Sequence, residues 1–191
     1  MLPVRFAIDS LPVSRWRNGG GETREIVSWP QGAAQFDWRA SIATIAQDGP
    51  FSAFAGIDRS ITLIAGDSVR LWGEGGEDFI LTTGKPLAFA GELALHATIG
   101  HGPSQDFNIM TRRTSLIAQV NSVVQSQTLP IGHSGVVLVI RGEGLLEDEI
   151  LREGEGCWWS ALSAPRVLTP QRRDSLILWA DIKLGADIKA R

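Results

Sequence analysis

The chain has 191 residues, of which 43% are hydrophobic and 20% charged, so it has apolar material for a folded core and is not broadly disordered. A formal net charge of −3 gives the surface as a whole no pull toward nucleic acid or anionic membrane. The single cysteine, Cys157, excludes an internal disulfide and a multi-cysteine zinc site; beside Trp158 and Trp159 it reads as a buried structural thiol in a reducing compartment.

The N-terminal run MLPVRFAIDS has no continuous apolar stretch of the leader type, and nothing approaches the ~18 apolar residues that span a bilayer. The cytoplasm is the expected compartment. A weak helical period predicts a short helix near Leu11–Arg17. The segment Trp16–Ile26 follows, with three consecutive glycines at Gly19–Gly21 flanked by Asn18, Thr23, Arg24 and Glu25. Consecutive glycines lose much backbone entropy on folding, so they mark a turn or a place where something approaches the backbone closely. Walker spacing is absent, and no βαβ unit surrounds the glycines.

In Phe36–Ile42, strand alternation puts Asp37, Arg39 and Ser41 on one face and Trp38, Ala40 and Ile42 on the other. The polar face meets either solvent or a wet cavity; this segment by itself favours solvent. Asp48-Gly49-Pro50 is a turn signal leading to Asp58-Arg59. Strands are then expected over Ser60–Ala65, Ser68–Trp72, Phe79–Thr82, Leu87–Ala90, Leu93–Ile99, Asp106–Met110, Leu116–Val120, Val136–Arg141 and Leu176–Ala180. Asp106 and Asn108 share a face opposite Phe107 and Ile109, and Arg112 with Arg113 forms either an anion clamp or a basic turn. Short strands with turns about every ten residues predict an all-β sandwich or barrel.

The chain also repeats itself. Leu63–Val69 lines up with Val139–Leu145, and Gly56 then falls on Gly132. The second copy carries Ser134 and Gly135 where the first has Asp58 and Arg59, so the architecture itself does not need the charged pair. Two β-barrel halves are expected, residues 1–113 and 114–191.

Taken together and in order, W-R-N-G-G-G-E-T-R-E-I, F-D-W-R-A-S-I-A, D-G-P-F-S-A-F-A-G-I-D-R and D-F-N-I-M-T-R-R resemble the successive signature motifs of the HutD/Ves family. They lie within residues 14–113. Arg17 stands where that family often has lysine. The resemblance implies a double cupin, packed as one unit with few helices. It also implies an association with bacterial histidine utilisation, with a regulatory role and binding of an intermediate such as formylglutamate.

Most catalytic cupins hold a metal through an H-x-H pair and a later histidine. The histidines here are His96, His101 and His133, none of them in the first 95 residues, so neither a dedicated metal nor any other cofactor is expected. All but three of the eighteen basic residues are arginine, and planar guanidinium forks suit carboxylates. The expected function is binding of a small carboxylate metabolite. Arg24, Arg39, Arg59 and Arg112 would supply forks, and Asn18, Thr23, Ser41 and Asn108 would supply orienting groups. Glu25, Asp58 and Asp106 complete the candidate site, and tryptophans and phenylalanines would form its walls. Two alternatives stand beside it. One is a metal-independent isomerase or hydrolase of similar acids, with Asp106 or Glu25 as base and Asp58 and His96 as further acid–base candidates. The other is a protein-interaction module with a vestigial pocket. No nucleic-acid or membrane partner is expected, and open sheet edges would allow a homodimer.

Overall fold

The computed structural model describes residues 2–185. After β1 (Val4–Ala7) and a 3₁₀ turn at Ile8–Ser10, the chain enters a first unit, Pro12–Thr114. Its strands are β2 (Val13–Arg15), β3 (Gly21–Trp29), β4 (Trp38–Ile45), β5 (Gly49–Phe51), β6 (Ile57–Ala65), β7 (Val69–Gly73), β8 (Asp78–Leu81), β9 (Leu87–Ala90), β10 (Leu95–Ile99) and β11 (Ser104–Arg112). The second unit joins residues 2–11 to the chain from Ser115 onward. It contains β12 (Leu116–Val123), β13 (Gln127–Leu129), β14 (Ser134–Arg141), β15 (Glu143–Leu146), β16 (Glu149–Arg152), β17 (Glu155–Trp159), β18 (Arg166–Pro170) and β19 (Leu176–Leu184). The protein is all-β.

Each unit is built from two antiparallel sheets. In the first, a six-stranded sheet runs β2-β3-β4-β11-β6-β9 and a four-stranded sheet runs β5-β10-β7-β8. In the second, the orders are β1-β17-β14-β19-β12 and β13-β18-β15-β16. The run β4-β11-β6-β9 thus recurs as β12-β19-β14-β17, and the smaller sheet recurs strand for strand. Even the irregularities match: the register with the neighbouring strand skips Ile64 on β6 and Ile140 on β14. The repeated glycines explain why the sequence copies align. Gly66 (φ 99°) and Gly142 (φ 76°) both turn the chain in the left-handed region, and a Cβ on either would strike a serine, Ser104 or Ser175. Two constraints on one residue leave only glycine.

The core of the first unit lies between its sheets, with Ile45, Ile61 and Leu63 meeting Val69, Leu71, Leu81, Leu95 and Ala97. The second unit has a corresponding core of Val123, Val137, Val139, Trp159 and Ile177 with Leu129, Leu146, Leu151 and Leu168. Each such aliphatic side chain contributes about 1.5–3 kcal/mol by leaving water, so these inward faces hold the sheets together. Cys157 belongs to the second core; it is 1% exposed, and burial pushes its thiol up to about 11, which makes it inert.

Two expectations are corrected. Leu11–Arg17 is not a helix: Val13–Arg15 pair with Glu22–Arg24, and the hydrogen bonds of that ladder outweigh a weak helical period. The first residues do not belong to the first half, because Val4–Ala7 pair with Glu155–Trp158 on β17, and the chain passes from the first unit to the second between Thr114 and Ser115.

Candidate functional site

Strand β11 lies between β4 and β6, and its register sets side chains in rows on the inward face. Arg39, Met110 and Arg59 form one row, Ser41, Asn108 and Ile61 the next, and Ala43, Asp106 and Leu63 a third. On the neighbouring strand β3, Thr23 pairs with Ala43. Ile61 and Leu63 join the apolar core, whereas the other residues of the first two rows, together with Ala43, open into a cavity of about 380 Å³ within the first unit. Its sheet wall is Thr23, Arg39, Ser41, Ala43, Arg59, Asn108 and Met110. Facing them are Trp16, Arg17 and Asn18 from the β2–β3 hairpin, and Pro50, Phe51, Ser52 and Phe54 from the segment before β6.

The triple glycine belongs to the hairpin that forms this rim. Gly19 takes φ 72°. Gly20 N–H donates to Asn18 Oδ1 at 3.0 Å, which fixes the turn. A Cβ on Gly21 would collide with the Thr44 carbonyl oxygen and the Trp16 ring. That vacancy lets Trp16 lie against the strand, where its indole Nε1 donates to Thr23 Oγ1 at 2.8 Å. The glycines therefore seat an aromatic wall beside the cavity, which is the close approach that the sequence implies.

Arg59 anchors the floor at 4% exposure. Its guanidinium carbon lies 4.7 Å from the Phe51 ring centroid, 5.2 Å from that of Phe89 and 5.4 Å from that of Phe54. Nη1 donates to the Ser52 carbonyl at 3.0 Å and Nη2 to Asn108 Oδ1 at 3.2 Å, while the buried Nε has no hydrogen-bond partner. Asn108 Nδ2 in turn donates to Asp106 Oδ1 at 3.4 Å. Desolvation lowers Arg59 from 12.5 to about 10, with Asp106 opposing that fall and Arg39 adding to it. Burial likewise raises Asp106 from 3.8 to about 7, against the pull of Arg59 and the Asn108 hydrogen bond.

The structure sorts the expected site residues. Asn18, Thr23, Arg39, Ser41, Arg59 and Asn108 all line the cavity. Arg39 and Ser41 therefore do not face open solvent, as their segment alone favours: the face they share is the enclosed one. Asp106 lies behind the wall. Glu25 stands outside it and accepts from Arg39 Nε at 2.8 Å. Arg24 pairs with Glu22 at 3.6 Å and is in register with Ile42, on the opposite face. Asp58 accepts from Arg113 Nε at 2.7 Å, and Arg113 also binds Glu92. Arg112 donates to the Phe36 carbonyl at 2.8 Å and pairs with Asp37 at 3.6 Å. Arg112 and Arg113 thus tie down loops and do not form an anion clamp. Arg17 and Met110 were not expected at the site. Met110 was foreseeable, because it shares the strand face of Asn108; Arg17 was foreseeable only from its place beside Asn18.

The second unit shows what the fold alone requires. By register, Gln119, Asn121, Gly135, Ile177 and Trp179 occupy the places of Arg39, Ser41, Arg59, Asp106 and Asn108. A Cβ on Gly135 would meet the Trp159 ring, and Trp159 takes the place of Phe89. The equivalent space is filled with indole. A divalent ion does not fit the first unit's cavity either, since its inward face carries two arginines and no histidine, a donor set that repels cations. Of the histidines, His96 stacks on Trp72 at 4.8 Å, His101 pairs with Asp67 and His133 with Asp181.

The HutD family model matches residues 9–176. The chain belongs to the HutD family. Among curated relatives, Protein Ves of Citrobacter koseri is 42% identical over 168 residues, covering 87% of this chain and 88% of that one. Protein Ves of Escherichia fergusonii is 41% identical over 165 residues, covering 85% and 86%. The structure of HutD from Pseudomonas fluorescens SBW25, in a formate condition, superposes with a TM-score of 0.85 at 25% identity, covering 97% of this chain and all of that one. A cupin 2 conserved barrel domain protein from Leptotrichia buccalis, at 12% identity and a TM-score of 0.61 over 95% of this chain and 96% of that one, shares the fold. Among the described residues, no helix is long and apolar enough to cross a membrane.

Proposed function

We propose that this HutD-family chain binds a small dicarboxylate in the cavity of its first unit. The observation that carries the reading is the row Arg39–Met110–Arg59. Two guanidinium-bearing positions flank one residue on a shared inward face, so their Cα atoms are about 10 Å apart, two strand spacings. Both side chains line the same cavity, whose volume of about 380 Å³ suits a metabolite of few carbons. A short dicarboxylate would bridge the two forks, with Arg17 adding charge at the mouth. Ser41, Thr23, Asn18 and Asn108 would orient the polar groups between the carboxylates, and Trp16, Phe51 and Phe54 would cover the methylenes. The HutD family name supports a place in histidine utilisation, with formylglutamate as the candidate ligand and a regulatory role as the consequence of binding it.

A thermal-shift comparison of chelator-treated protein against formylglutamate, formiminoglutamate, glutamate, urocanate and a sugar acid tests this. A ligand that binds only the folded state raises the melting temperature, by about 2.7 kcal/mol of added stability at a hundredfold excess over Kd. Glutamate and its formyl and formimino derivatives, the dicarboxylates of the set, are expected to give the larger shifts. No shift with any of them would exclude the reading.

A further inference from the structure

Behind the cavity wall lies a charge that a ligand cannot touch. Asp106 is fully buried, sits one row below Asn108 and does not line the cavity. One of its carboxylate oxygens accepts from Asn108, and the other, Oδ2, is buried with no hydrogen-bond partner. Arg59 is left similarly incomplete at Nε. The two charges are joined through Asn108, whose amide receives one hydrogen bond from Arg59 and gives one to Asp106. At the equivalent positions the second unit has Gly135, Trp179 and Ile177, so this relay is not a requirement of the barrel.

We propose that Asp106 is the resident counterion of Arg59, and that a bound carboxylate displaces it from that role, so that ligand binding is coupled to proton uptake by Asp106. The inference rests on the carboxylate reading of the cavity. When a ligand carboxylate docks on Arg59, two anions face one buried cation in a medium of low dielectric constant. The repulsion is relieved when Asp106 takes a proton from solvent and becomes neutral, one proton at most per ligand. Its carboxyl already stands near 7 through burial, held down by Arg59 and Asn108. A ligand that neutralises Arg59 removes the charge that holds it down. The other groups around it do not replace that charge. β4 presents Ala43 beside it, with Arg39 two rows away and tied to Glu25, and β6 presents Leu63. The opposite sheet contributes Val69, Leu71, Leu95 and Ala97 to the same core. Arg17 stands at the cavity mouth, and the Asp67–His101 pair is exposed. The sign follows: affinity is highest where Asp106 is already protonated, and falls as pH rises through and above its free value.

The test is calorimetric titration of the full chain with glutarate at roughly pH 7.5, in two buffers of unlike ionisation enthalpy, with Asp106→Asn in parallel. The substitution keeps the shape and the acceptor for Asn108. The expected result is fractional proton uptake by the wild type, with affinity falling by up to about tenfold per pH unit, the limit for one proton. Asp106→Asn should take up no proton and bind with little pH dependence. A merely structural role for Asp106 would weaken binding equally at every pH. Binding by the wild type without proton uptake, or uptake that persists in Asp106→Asn, overturns the coupling while leaving the cavity assignment intact. Failure of glutarate to bind at any pH overturns both. Should Asp106→Asn not fold, the wild-type buffer pair decides alone.

Discussion

Asp106 is the residue whose ionisation the fold opposes most clearly. Its carboxyl is raised from 3.8 to about 7, so between those values the folded state holds a proton that the unfolded state has released. Ligand-free stability must therefore fall as pH rises through that window, and level off above it. The exposed carboxylate of Glu92 behaves oppositely: Arg113 lowers it from 4.5 to about 2, so the stability it adds is complete above 4.5 and is lost as pH falls from there toward 2. Melting temperatures from roughly pH 5 to 8 should decline in the wild type and change less in Asp106→Asn. Equal slopes in the two proteins would show that Asp106 is ionised throughout. The sequence marked Asp106 as a site residue and a candidate base, but its burial was not legible there. Its burial depends on Leu63 and Ala43 arriving beside it from distant strands.

Strand alternation made the elements readable and told which side chains share a face. It could not tell which face was enclosed, which is why the segment of Arg39 and Ser41 taken alone favours solvent, although the β2–β3 hairpin and residues 50–54 cover that face. Arg112 and Arg113 were ambiguous for a related reason: their partners Phe36 and Glu92 come from segments far off in the chain. The glycines were more legible, because the demands on them are local. Gly66→Ala and Gly142→Ala should each lose about 2–4 kcal/mol, since left-handed strain and collision with a serine act together. Gly49→Ala, whose Cβ would enter open space, should stay within about 0.5 kcal/mol of wild type. Denaturant midpoints of the three variants check this, and a mild Gly142→Ala would break the equivalence of the two turns.

The molecule as a whole carries one barrel plan twice and spends it differently. In the first unit the inward rows bear Arg39, Ser41, Arg59 and Asn108 around a cavity; in the second, Trp159 and Trp179 occupy that space. The substitution of Gly135 for Arg59 was visible in the aligned repeats, and it pointed to the first unit, where the cavity lies. The extent of the cavity was not visible, because it depends on where the Trp16 and Phe51 segments fold over the sheet. The central claim is that this cavity binds a dicarboxylate through two guanidinium forks. Calorimetric titration with glutarate of the wild type and of Arg39→Ala tests it most directly. The Arg39–Glu25 pair is partly exposed and worth little to stability, so the variant should unfold with unchanged cooperativity. Its affinity should drop by roughly ten- to a hundredfold, the loss of about 1.5–3 kcal/mol for a charge-assisted contact. An Arg39→Ala protein that folds and binds glutarate as tightly as the wild type would contradict the claim.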